Sequence, residues 1–301
     1  MRQLKLIQLY FYVCQVYEEE LKWHCERFSN NGIEPIFTDQ ELLTTYLFCV
    51  GYEQRFQVKQ IHQHILHYWS SWFPNLPSYA TYNDRLNRLV GTFPLLVNRL
   101  LVQWAPYRYY SQRFTLTDSM PIMTCSNRRK AKVARQLCDK GYNSVKKRHF
   151  YGLKLHAIGL HSPGHLPFIE YLQLSPASEH DLEAQRPVLD QLKGRIFFGD
   201  KAFRDKKLDD SLETMGSKML TPVVYQTPLQ RALRTRTQAA DDLYSLSVSS
   251  VRQPIESFFN WLIEKTDLQR ASKVRSQKGL LVHIFGKIAA AIMVLVLNAI
   301  F

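Results

Sequence analysis

The sequence predicts a mixed α/β domain preceded by an all-helical region, and three observations carry that expectation. Up to about residue 110 the apolar residues recur at helical spacing. From about residue 112 the period changes to two, in the runs Phe114–Thr117, Phe150–Leu160 and Leu166–Leu174. Arg195-Ile196-Phe197-Phe198-Gly199-Asp200 is then a short apolar run closed by glycine, as a buried central strand reads.

The elements follow in order. Leu4, Ile7, Phe11 and Cys14 give a first helix one apolar face. Thr38-Asp39-Gln40-Glu41 is a capping box, in which the Thr side chain and the Glu three residues on satisfy each other's free amides. It opens an apolar helix through Val50. A further helix covers Val58 to Trp72, Pro74 and Pro77 break the chain, and Ser78 caps a helix bearing Tyr79, Asn83, Arg85, Asn87 and Arg88. Three short helices with a polar last member suit a helix-turn-helix that reads a DNA groove, and equally suit a plain bundle with a solvated face.

In the second part, His161-Ser162-Pro163-Gly164-His165 joins two alternating runs as a hairpin loop. Helices are expected at Asp181–Leu192 and Asp205–Met215, with a strand at Lys218–Val223. Tyr225 to Ser250 is polar, rich in Arg and Ser, and matches no period. Ile255 to Glu264 is helical, with Pro254 in the first turn. The expected domains are a helical region, 1–110, and a mixed-sheet region, 111–301, with a C-terminal helix.

Composition bounds the function. The 301 residues suffice for one large or two smaller cores, and 46% hydrophobic content excludes a wholly disordered chain. The formal charge of +13 makes a polyanion the first partner to consider, nucleic acid ahead of an anionic membrane. The five cysteines show no CxxC pairing, which argues for reduced thiols in a cytoplasmic protein. Arg2 and Lys5 precede an apolar stretch, but Gln3, Gln8 and Gln15 interrupt it, so it does not read as a signal peptide. Leu280 to Phe301 nearly suffices to span a bilayer, yet His283, Lys287 and Asn298 interrupt it. It reads as a buried helix, and no membrane partner is expected.

The candidate chemistry lies in Asp118, Asp200 and Glu256. Both aspartates are read as ending an apolar strand, where a buried carboxylate is expensive unless ligated or paired. If those strands are parallel neighbours, both carboxylates enter one crevice of an open sheet. Glu256 would reach the crevice from a helix lying across it. Three convergent carboxylates suit Mg²⁺ or Mn²⁺, hard ions that take oxygen ligands and keep waters for a phosphate substrate. Two such ions serve in-line displacement at phosphorus. An Asp after a strand is, taken alone, most often a turn or helix cap.

The order Asp118, Asp200, Glu256 resembles the DDE transposases of bacterial insertion sequences. Gly199-Asp200-Lys201-Ala202-Phe203 is similar to that family's second-Asp motif, Ser178-Glu179-His180-Asp181 to its polar segment before the preceding helix, and Arg252-x-x-x-Glu256 to its third motif. Where the family carries a Lys seven residues after the Glu, this chain has Ile263, with Lys265 two residues on. The resemblance implies an RNase H-like catalytic domain, two Mg²⁺ or Mn²⁺ ions on the three acids, cleavage at element ends and strand transfer into target DNA. It also implies terminal inverted repeats and target duplex as partners, a homodimer in the DNA complex, and a bacterial cytoplasm with the protein on the nucleoid. Two other readings stand beside it: a non-catalytic DNA-binding repressor derived from a transposase, and a stand-alone RNase H-like nuclease.

The charge concentrates near the acids. Arg128, Arg129, Lys130, Lys132, Arg135, Lys140, Lys146, Lys147 and Arg148 face the single acid Asp139 in that segment. Such a run suits a DNA backbone passing the carboxylates, with affinity that falls steeply with salt. Lys201, Arg252 and Lys265 lie beside the acids in sequence, and Arg85 and Arg88 on the expected reading helix complete the expected DNA contacts.

Overall fold

The computed structural model describes residues 2–26, 35–104, 110–126, 133–143, 147–224 and 228–300, leaving aside the side chains of 228–236 and 300. Its six-stranded sheet is built around one long strand, β1 (Phe114–Ser126). β1 pairs antiparallel with β3 (Arg148–Leu160). The far edge of β3 is shared: β2 (Asp139–Asn143) pairs with its first part and β4 (Phe168–Pro176) with the rest. The other edge of β1 pairs in parallel with β5 (Ile196–Phe198), and β5 with β6 (Lys218–Leu220). With β2 set aside, the order is β4-β3-β1-β5-β6, a meander extended by two parallel strands. This is a mixed sheet flanked by helices, as the sequence predicts.

The side chains of β1 alternate between the faces, so Thr115 and Thr117 lie on one and Leu116 and Asp118 on the other. Helices α6 (Asp181–Leu189) and α7 (Lys206–Thr214) seal an apolar cluster that includes Ile158, Leu182, Leu189, Phe197, Leu208 and Leu212. Burial of side chains of this size contributes about 1.5–3 kcal/mol each. Next in the chain is α8 (Pro228–Thr266), a single helix of 39 residues.

The chain forms two compact units. The sheet unit holds Arg108–Lys130 and Leu137–Trp261; the helical unit holds Met1–Tyr107, Ala131–Gln136 and Leu262–Phe301. The helical unit contains α1 (Arg2–Glu19), α2 (Asp39–Gly51), α3 (Val58–Tyr68), α4 (Tyr79–Arg88) and α5 (Thr92–Trp104). It also holds α9 (Gln277–Leu281), a π-helical turn (Val282–Gly286) and α10 (Lys287–Ile300). The capping box forms: Thr38 Oγ1 accepts from Glu41 N at 3.1 Å, and Glu41 Oε2 accepts from Thr38 N at 2.6 Å. Leu42 to Val50 are then buried all round, because α2 is the central helix of the unit.

Five expectations need correcting. β1 runs on to Ser126, so Asp118 lies inside a strand and not at its end. Within the basic stretch, Asp139–Asn143 forms β2, a strand that the sequence does not announce because it has no apolar alternation. Tyr225 to Ser250 lacks a single apolar face, yet residues from Pro228 onward belong to α8, with Pro254 in its interior. The proline has no N–H to give the carbonyl four residues back, which removes one helix bond. α1 buries Leu6, Leu9, Val13 and Val16, while Leu4, Ile7 and Phe11 are 57%, 49% and 72% exposed. Both stripes have helical spacing, so packing against α2 decides what periodicity could not. Finally, the C-terminal helix packs with α2 and α5 and belongs to the helical unit, not to the 111–301 region. Residues 277–299 are long and apolar enough to cross a membrane, and Ile284, Ile288, Ile292 and Val296 are fully buried in that unit.

Candidate active site

The parallel register brings the two aspartates together. Leu116 pairs with Phe198, so Asp118 and Asp200 each lie two residues beyond the last parallel pair. β5 ends there while β1 continues on β3 alone, so a crevice opens inside the sheet at Asp118 although the strand does not stop.

Each carboxylate is already held. Asp118 Oδ1 accepts from Ser119 N at 2.9 Å, and its Oδ2 accepts from Arg252 Nη1 at 2.8 Å. Arg252 Nη2 donates to Glu256 Oε1, one helical turn along α8. One guanidinium thus bridges a strand acid and a helix acid, and its Nε is buried with no hydrogen-bond partner among the described residues. Asp200 Oδ1 accepts from Ala202 N at 2.8 Å, capping the 3₁₀ turn Lys201–Phe203, and its other oxygen has no hydrogen-bond partner among the described residues. The capping role and a place in the crevice therefore coexist at Asp200.

Burial pushes the Asp118 carboxyl up from 3.8 to about 6. Arg252 and the Ser119 amide pull it back, and the charges of Asp200 and Glu256 push it further up. Three acids and one contacting guanidinium leave an electronegative site built of hard oxygen donors. Among the described residues, however, no three His, Cys, Asp or Glu side chains are grouped to hold a metal ion. Arg252 stands between Asp118 and Glu256.

Beside Asp200 a groove of about 490 Å³ is lined by Lys201 and by Asp242, Ser245, Leu246, Ser249 and Arg252 of α8. Their spacing of three to four residues forms one helical stripe. Behind the crevice lies a buried polar network. Thr117 Oγ1 donates to Gln185 Oε1, and Gln185 Nε2 lies 3.3 Å from His156 Nδ1 and 3.4 Å from the Asp118 carbonyl. His156 Nε2 lies 2.8 Å from Ser175 Oγ, and burial pushes the imidazole down to about 4. The ring is therefore neutral at pH 7, and it fixes the strand beneath Asp118 without adding charge.

Residues 109–293 match the family model for the transposase DDE domain. The chain belongs to the DDE transposase family. No curated protein sequence matches it. Against solved structures the likeness is slight. The Mos1 transposase paired-end complex with left transposon end is 12% identical, with 82% of this chain and 87% of that chain covered at a TM-score of 0.22. The mariner Mos1 paired-end complex with Mg is 13% identical, covering 81% and 85% at 0.23.

The expected DNA contacts of this transposase separate into groups. Lys147, Arg148, Arg135, Lys201 and Lys265 are exposed. Arg252 is half-buried on two acids. Arg85 is spent internally: its Nη2 donates to Asp39 Oδ1 at 2.7 Å and its Nη1 to the Phe37 carbonyl. Arg88 pairs with Asp84 along α4. Arg128, Arg129, Lys130, Lys132 and Lys146 lie outside the described residues. His180 is the N-cap residue of α6 but makes no capping bond, and Asp181 is held by Lys154 Nζ at 2.9 Å.

Sequence reasoning missed Asp242 and the Thr117–Gln185–His156 network. Asp242 carries a usable signal, since it shares its helical stripe with Arg252, but only once α8 is known to be continuous. The network carries none, because its members come from β1, β3 and α6 and meet only through the sheet register.

Proposed function

We propose that this transposase cuts DNA at the ends of its element and joins the freed 3′ ends to target duplex. Asp118, Asp200 and Glu256 are the carboxylates of that chemistry. The observation that carries the reading is the shared register step of Asp118 and Asp200, with Arg252 bridging Asp118 and Glu256, inside a transposase DDE domain.

The donor set fits Mg²⁺ or Mn²⁺ by its chemistry: all ligand atoms are carboxylate oxygens, and one oxygen of Asp200 is already unpartnered. Asp118 and Asp200 would hold the ions, with Glu256 completing the second. When bound, the metal lowers the pKa of water and offsets charge on the departing oxygen. The chain's own groups do the rest. Asp118 must lose its proton before it can ligate. Arg252 keeps Asp118 and Glu256 in place and supplies a positive charge beside them that would suit a phosphate. Lys201, at the mouth of the groove, adds a positive charge for the strand.

Exposed Lys147 and Arg148 suit backbone contacts to double-stranded DNA, both terminal repeats and target. We further infer two copies per DNA complex, and a cytoplasmic protein associated with the nucleoid. The test is strand cleavage of a duplex carrying the element end, with Mn²⁺ against EDTA. Cleavage lost in Asp118→Asn, Asp200→Asn and Glu256→Gln with end binding intact is expected. Metal-independent cutting, or full activity in any variant, overturns the assignment; a wild type that binds ends and never cuts would instead be a repressor.

A further inference from the structure

The helical unit contains a second cavity, of about 510 Å³, which the proposed cleavage chemistry does not use. Its lining includes Lys59, Arg270, Lys273, Arg275 and Lys287 against the single acid Asp267. Arg270 Nε lies 3.9 Å from Asp267 Oδ1, and Lys59, Lys273 and Arg275 leave the cavity electropositive. Lys59 and Lys273 are exposed, and neither has an ion-pair partner among the described residues.

Lys287 is the unusual member. It opens α10 directly after the π-helical turn, and its residue surface is 2% exposed. Its one hydrogen bond among the described residues is to the Asp267 carbonyl, at 3.2 Å, while its Nζ lies 5.5 Å from the centre of the Phe56 ring. An ammonium group has three donors, and a buried cation with one long hydrogen bond is expensive. Burial accordingly pushes its pKa down to about 7, against the pull of Asp267. The neighbouring His283 does not compete for an anion: burial, reinforced by the charge of Lys287, pushes it down to about 3, and its Nε2 meets the Leu268 carbonyl at 2.9 Å. π turns inside helices occur often where a site must be shaped.

The other walls supply different chemistry. Gln57, Val58 and Lys59, at the start of α3, line the cavity, and Gln57 makes no side-chain cap there, so the first-turn amides of α3 have no capping side chain among the described residues. Tyr79 offers a ring, while Asn83 and Asn87 offer amides, Asn87 with one Nδ2 proton already given to the Asn83 carbonyl at 2.8 Å.

From this combination of a buried lysine, exposed cations, an uncapped helix start, a ring and amides in a cavity of this size, we propose that the pocket binds a nucleoside phosphate. The cations take the phosphate, and Tyr79, Asn83 and Asn87 receive the base. The volume admits one nucleotide and not a duplex. The ligand is thus either a free nucleotide or a single nucleotide displaced from a DNA strand.

Calorimetric titration of the full chain with deoxyadenosine 5′-monophosphate tests the first source. A duplex with a short unpaired 5′ overhang, compared with the same duplex blunt, tests the second. Saturable binding of the mononucleotide, or an overhang affinity well above the blunt one, supports the proposal. Lys287→Met and the double variant Lys59→Gln/Lys273→Gln should each weaken that binding about tenfold or more, the scale of a lost charged hydrogen bond. The double variant alters exposed side chains only, so it decides the matter if Lys287→Met does not fold. Asp118→Asn should bind the nucleotide as wild type does, which separates this pocket from the cleavage site. No binding in either arm, equal binding in the variants, or displacement by inorganic phosphate as effective as by the mononucleotide overturns it.

Discussion

Asp118→Asn should stabilise this protein while abolishing cleavage, and the size of the gain follows from the site. The Asp118 side chain is 19% exposed and sits in a crevice whose desolvation outweighs the help of Arg252. Its carboxyl is raised from 3.8 to about 6, so the folded state holds the proton more tightly than the unfolded chain. Below pH 4 both states are protonated and the group costs nothing. As pH rises from about 4 to 6 the unfolded chain ionises first, and stability is lost. Above pH 6 the penalty is complete, at about 3 kcal/mol. Asparagine imitates the protonated acid and can still accept from Arg252 through its amide oxygen. The variant should therefore melt roughly 6–12 °C higher than wild type at pH 8, and at nearly the same temperature at pH 4. Differential scanning calorimetry at the two pH values measures it. A variant that melts at or below wild type at pH 8 would refute the claim that burial dominates at Asp118.

Three further outcomes are expected. Arg252→Gln removes the guanidinium that lowers the Asp118 pKa, so the pH midpoint of Mn²⁺-dependent cleavage should move above 6; an unmoved midpoint in an active variant would show that Asp118 does not set the profile. Arg85→Ala breaks a half-buried pair with Asp39 and should destabilise the protein by about 2–4 kcal/mol in urea unfolding. Its DNA affinity should stay within a few-fold, and a large affinity loss at unchanged stability would restore Arg85 as a DNA contact. Lys147→Gln/Arg148→Gln should reduce the slope of log affinity against log salt by about 2 while leaving sequence preference alone, as read by fluorescence anisotropy across a salt series.

Some features were legible because they are local. Thr38 and Glu41 meet within one helical turn, so four letters suffice to predict the capping box and it forms. Likewise Ser78 accepts from the Thr81 amide at the start of α4. The apolar run Ile196–Phe198 announces a covered strand, since only a strand with both faces buried can be apolar at every position. The three acids and the DDE resemblance were also in the letters, because their flanking motifs are contiguous.

Other features were decided only by tertiary structure. Whether α1 buries Leu6 and Leu9 or Leu4 and Phe11 depends on which stripe meets α2, and both stripes have the same period. A shared register step puts Asp118 beside Asp200, yet no spacing in the chain encodes the point at which β5 ends against β1. Asp242 and Arg252 fall on one stripe only because α8 is continuous from one to the other, and Glu256 stays on the helix with Arg252 only because it runs on through Pro254. Arg85 and Lys147 look alike as letters, and an aspartate 46 residues away makes the first a brace while the second stays exposed. Composition and short-range pattern carry the class of fold, the candidate acids and the sign of the charge. Tertiary structure decided which cations are spent, which face is covered and how costly each charge is, because desolvation and pairing depend on neighbours that the chain brings from far away.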